Sequence, residues 1–130
     1  MHHQKVGARA EYRQQEGQRT RDSNSIADRY PQLKSLTVHL SFYNSDGANR
    51  SSEIKYTVNL NNARSVFRFD CPNNECVRGD FDLSAELADA VVAQRITAVG
   101  ELCCQGWLSK TAIDTVHCHQ ILRYKFSLGY

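Results

Sequence analysis

Five cysteines constrain this chain more than any other feature. They stand at positions 71, 76, 103, 104 and 118: C-x4-C, then 26 residues, an adjacent pair, 13 residues, and a last cysteine. An odd count with an adjacent pair fits a disulfide framework poorly. The opening stretch MHHQKVGARAEYRQQEG is polar throughout and lacks the apolar core of a secretory signal. A reducing, cytoplasmic setting is therefore expected, where thiols stay free or hold a metal.

Cys71 and Cys76 enclose Pro72, Asn73, Asn74 and Glu75, turn-forming residues that can aim two sulfurs at one tetrahedral ion. A second pair has to come from farther along. Cys104 falls where a strand should end, before Gln105-Gly106, and Cys118 falls where the next should begin. Side chains of neighbouring strand residues point to opposite faces, so only one of Cys103 and Cys104 can join the ion. Cys104 shares its face with Ile96, Ala98, Gly100 and Leu102, whereas Cys103 shares its face with Thr97 and Glu101. The expected site is Cys71, Cys76, Cys104 and Cys118. Cys103, His117 and His119 are the alternatives for one position, or the histidines supply outer hydrogen bonds to the ligands. The expected ion is a structural Zn²⁺, because four thiolates close the shell and leave no position for a reacting water. The paired-knuckle layout is similar to that of zinc ribbons, although a 26-residue insertion containing a helix departs from their compact form.

Hydropathy periods supply the frame. Leu36, Val38, Leu40 and Phe42 alternate with polar residues, as do Ile54, Tyr56, Val58 and Leu60, with a turn expected at 44–47. Further strands are expected at 65–70, 96–105 and 119–128, the last with Leu122, Tyr124, Phe126 and Leu128 facing inward. Ser25 and Asp28 form a weak capping box for a helical turn that Pro31 stops. Asp82 or Ser84 can cap a helix running to about 95, with Leu83, Leu87, Ala90 and Val91 on one face. The fold class is α+β: a mainly antiparallel sheet of about five strands, one main amphipathic helix and a zinc-ribbon-like four-cysteine site.

At 130 residues the chain fits one domain. Residues 25–130 form it. Residues 1–24, rich in Gln, Arg and Glu, carry too little apolar surface to offset ordering and are expected to be a flexible, disordered tail. Charge divides at the same place. Residues 1–33 hold six basic and four acidic groups, and 34–130 hold ten of each sign. A neutral core argues against a strong nucleic-acid face. No apolar run is long enough to span a membrane.

No GxGxxG, Walker, HExxH or GxSxG motif is present. Cys118 between two histidines shows adjacency only, and Asp70, Glu75, Asp80 and Asp82 fit turns and a helix cap better than acid–base chemistry. The expected function is a non-enzymatic zinc module that binds another protein. The alternative is nucleic-acid binding through the arginine-bearing tail. A homodimer covering edge strands is compatible with either.

Overall fold

The computed structural model describes residues 2–44 and 46–130, with side chains from residue 5 onward. Its order is α1 (His2–Asp22), α2 (Ile26–Arg29), β1 (Ser35–Tyr43), β2 (Arg50–Thr57), β3 (Arg68–Asp70), β4 (Asp80–Asp82), α3 (Ser84–Val92), β5 (Thr97–Cys103), β6 (Trp107–Lys110), β7 (Thr115–His117) and β8 (Ile121–Gly129). The architecture is α+β. A four-stranded antiparallel sheet runs β2-β1-β8-β5, and two ribbons, β3-β4 and β6-β7, stand apart from it.

Period two becomes a core here. Along β1 exposure alternates residue by residue, with Leu36, Val38, Leu40 and Phe42 on the buried side. In the register, Leu36 faces Leu128, Val38 faces Phe126 and Phe42 faces Leu122, so two central strands present one apolar face. Leu87, Ala90 and Val91 of α3 are buried against the same core, which also takes in Ile26, Leu83, Phe67 and Phe81. Fully burying each of these side chains other than Ala90 contributes about 1.5–3 kcal/mol. Phe67 meets Phe126 edge-on with centroids 6.1 Å apart, and Phe42 meets Phe81 at 5.6 Å. The cap expected at Ser25 forms, its Oγ accepting from Asp28 N at 3.1 Å. The cap expected for α3 does not, because Leu83 takes the N-cap position with no side-chain cap, and Asp82 Oδ1 instead closes a turn ahead of the helix by accepting from Ser84 N at 3.0 Å. Of the turn expected at 44–47, Ser45 lies outside the described residues; Gly47 N donates to Asn44 O at 2.8 Å across it.

One expected strand is corrected. The strand expected at 65–70 does not join the main sheet. It shortens to β3 and pairs with β4, Phe69 opposite Phe81. The segment before it is already committed to α2, because Leu60 O and Ala63 O accept from Ala27 N and Ile26 N, and Ser65 N donates to Asn24 O. The stretch 106–117 forms the β6-β7 ribbon.

Residues 2–22, expected from the sequence as a flexible tail, are described as helix α1. Counting apolar area missed it because α1 docks through charge. Lys5 Nζ meets Glu75 at 3.0 Å, Arg19 Nη2 meets Asp82 at 2.8 Å, and Arg9 Nε donates to the carbonyl of Cys76 at 2.8 Å. The Arg78 guanidinium lies 5.2 Å from the Tyr12 ring centroid. Burial and then the charge of Asp80 push the Tyr12 phenol above its ordinary range. Along the helix, Gln18–Asp22 and Glu16–Arg19 contacts add local support.

Candidate metal centre

Each cysteine of the cluster lies where regular structure stops. Cys71 follows β3 directly and Cys76 precedes β4 by a short turn, so this pair forms the tip of the first ribbon. The tip is closed by Asn73: its carbonyl accepts from Cys76 N at 3.1 Å and its Oδ1 from Glu75 N at 2.9 Å. Cys104 lies one residue past β5, its N–H donating to Gln120 O at 2.7 Å. Cys118 joins β7 to β8, its N–H donating to Gly106 O at 3.0 Å. Reciprocal backbone bonds between Val77 and Trp107, at 2.8 and 3.0 Å, tie the two halves together.

The four sulfurs converge. Cys71, Cys76, Cys104 and Cys118 are buried, and their Sγ atoms all lie within 4.8 Å of one another. Cys71 Sγ is 3.7 Å from Cys118 Sγ, and Cys76 Sγ is 3.6 Å from Cys104 Sγ. A tetrahedron with metal–sulfur bonds of about 2.3 Å has edges of about 3.8 Å, whereas a disulfide would require about 2.05 Å. All five cysteines are free thiols. These separations fit a set of ligands around one ion, and four buried cysteines at this distance can hold a metal.

Electrostatics points the same way. Hydrogen bonds from the Cys71 and Cys76 thiols hold Cys104 far below the ordinary thiol range, at about 3. Those same contacts with Cys104 push Cys71 and Cys76 upward. The cluster by itself therefore favours one negative sulfur and resists a second. A divalent cation held by the four sulfurs would remove that resistance and let all four ionise.

Two glycines make room for the sulfurs. A Cβ on Gly106 would collide with Cys76 Sγ and lie 2.7 Å from Val77 O; one on Gly79 would collide with Cys76 Sγ and lie 2.7 Å from Cys104 Sγ. The sequence reading passed over both. The local signal was that Gly79 follows Cys76 by three positions in CVRG and Gly106 follows Cys104 by two in CCQG.

The alternatives lie outside the cluster. Cys103 is exposed and points away, 3.7 Å from His119 Nδ1. Partial desolvation, followed by the charges of Cys104 and Cys118, raises its thiol above the ordinary range. His117 and His119 are exposed, their rings tilted at 52° to one another with centroids 5.4 Å apart. Among the described residues, the metal-competent group comprises the four cysteines alone. The acidic residues nearby have structural partners: Arg68 bridges Asp70 at 2.8 Å and Asp80 at 2.9 Å, and Asp82 binds Arg19 and Ser84.

No helix among the described residues is long and apolar enough to cross a membrane. Comparison with protein-family models, with curated proteins and with solved structures returns no match.

Proposed function

We propose that this chain is a zinc-stabilised, non-enzymatic module of a reducing compartment such as the cytoplasm, and that it acts by binding another protein. The observation that carries the reading is the four-sulfur cluster, with Sγ separations of 3.6 and 3.7 Å across two ribbons. Soft thiolate ligands in a tetrahedron select Zn²⁺ over the hard cations. Four of them complete the shell, so the ion acts as a fastener without a site for substrate or water. Its binding energy becomes folding energy, because the four ligands come from segments nearly fifty positions apart in sequence.

Nucleic-acid binding is the weaker alternative. It rested on free arginines in the first 24 residues. Arg9 and Arg19 are instead engaged with Cys76 O and Asp82 of the same chain, and the rest of the chain carries no excess of basic groups.

Native mass spectrometry with elemental analysis tests the metal. One zinc ion per chain is expected, and a chelator should lower the unfolding temperature sharply. A metal-free protein whose melting is indifferent to chelator overturns the reading. Gel-shift titration at low salt tests the alternative, and salt-sensitive retardation lost on deleting residues 1–24 would favour it.

A further inference from the structure

The two edges of the main sheet are built differently. Edge strand β2 carries Arg50, Glu53 and Lys55 within eight residues, and charges of that kind discourage pairing with another chain. Edge strand β5, TAVGELC, carries Glu101 alone and pairs only with β8. Large apolar side chains cluster beside this unprotected edge. Val92 is 78% exposed, Ile96 74% and Val99 69%.

A hollow of about 170 Å³ opens between this edge and α3. Glu86, Asp89, Arg95, Ala98, Val99 and Tyr124 line it. Glu86 Oε2 is buried and accepts no hydrogen bond; it is the one such side-chain atom among the described residues. A buried oxygen left without a donor is unfavourable, and a donor arriving from outside removes that penalty. Gly100 keeps the strand slim here, for a Cβ at that position would lie 2.5 Å from the Tyr124 hydroxyl.

We infer that β5 and the Glu86 hollow form one docking site, for an extended segment of a partner protein that adds a strand to the edge and inserts a lysine or arginine toward Glu86 and Asp89. Backbone hydrogen bonds along β5 supply affinity, and the hollow supplies selectivity. Val92, Ile96 and Val99 pack against the apolar side chains of the incoming strand. Charge decides the occupant. A second copy of this chain would present its own Thr97–Cys103, whose one charged residue is acidic. The hollow holds two acids against Arg95 at its rim, so it calls for a cation that a copy of β5 does not bring. This inference rests on the protein-binding reading above and names the chemistry of the partner.

The test is selection of a random heptapeptide library displayed on phage against the intact, metal-loaded chain. Synthetic peptides from the enriched pool are then titrated by ¹H–¹⁵N NMR. Enriched peptides should carry a lysine or arginine flanked by alternating β-branched residues, and should shift the amides of 97–103 together with those of Glu86 and Asp89. Glu86→Gln should weaken binding about tenfold, as should exchanging the peptide's cation for norleucine; the second change works on the unaltered chain and needs no folded variant. Enriched peptides without a cation, shifts confined to other surfaces, or no enrichment overturn the inference. So does a concentration-dependent dimer abolished by Val99→Lys, which would assign the edge to a second copy. Metal content and chelator sensitivity of the same sample report separately on the zinc reading, so either idea can fail alone.

Discussion

At the scale of single residues, the centre depends on which of two adjacent thiols turns inward. Cys104 lies within the four-sulfur group and Cys103 faces solvent. Cys104→Ser should therefore abolish stoichiometric zinc and destabilise the fold by several kcal/mol, whereas Cys103→Ser should keep one ion per chain and shift stability by no more than about 0.5 kcal/mol. Native mass spectrometry and urea unfolding read both. Gly106→Ala forces a methyl group against Cys76 Sγ and Val77 O. Backbone stands on one side of that contact, so relief by rotamer change is blocked, and a loss of metal affinity of tenfold or more is expected in a competition assay with a chromogenic chelator. The inward thiol was legible from sequence because strand geometry has a period of two and apolar Leu102 and Ala98 mark the buried side. The spacing glycines were not read, since close approach to a sulfur from another segment leaves no periodic trace.

Among the elements, β1, β8 and α3 were legible from hydropathy periods alone, each burying one row of side chains against a shared core. The strand expected at 65–70 shows how local alternation misleads: Phe67 and Phe69 alternate correctly, but the backbone just before them is bonded to α2 and its approach, which turns the segment away from the main sheet. Helix α1 escaped for another reason. Its partners, Glu75, the Cys76 carbonyl and Asp82, lie more than sixty positions along the chain, and no apolar stripe announces the contact. Exposed ion pairs of this kind contribute about 0.2–1 kcal/mol each and weaken in salt. Hydrogen exchange of amides 5–22 should therefore speed up between low salt and about 1 M NaCl, where the screening length falls to about 3 Å, while β8 stays protected. Acid should act likewise. Burial opposes ionisation of Asp82, but hydrogen bonds from Ser84 and Arg19 outweigh it and hold the carboxyl below its ordinary range. A lowered folded-state value means the contribution is complete above about pH 4 and fades as Asp82 protonates below that. Deleting residues 1–22 should leave zinc stoichiometry unchanged and lower Tm by roughly 4–8 °C, as for about 1 kcal/mol in a domain of this size.

Taken whole, the molecule has two fasteners that share one apolar interior. The sheet and α3 supply hydrophobic burial, and the cysteine cluster, once it holds an ion, would clamp the tip of the β3-β4 ribbon to the base of the β6-β7 ribbon, its four sulfurs counted in the same buried cluster as Phe126 and Leu87. Leu122→Ala in the central strand should cost about 2–5 kcal/mol in urea unfolding without altering the metal count of the folded fraction. Chelation should do the opposite in space: exchange should accelerate first in the 68–82 and 107–117 ribbons and last in β1 and β8. The order of strands also bears on how the protein is made. Strand β8 sits between β1 and β5, so the sheet has no centre until residues 121–129 have left the ribosome. At 5–20 residues per second, the apolar row of β1 waits roughly 4–16 s for its neighbour. Nascent chains stalled before residue 121 should accordingly be held by chaperones, and those stalled well beyond 130 by a linker should be released from them.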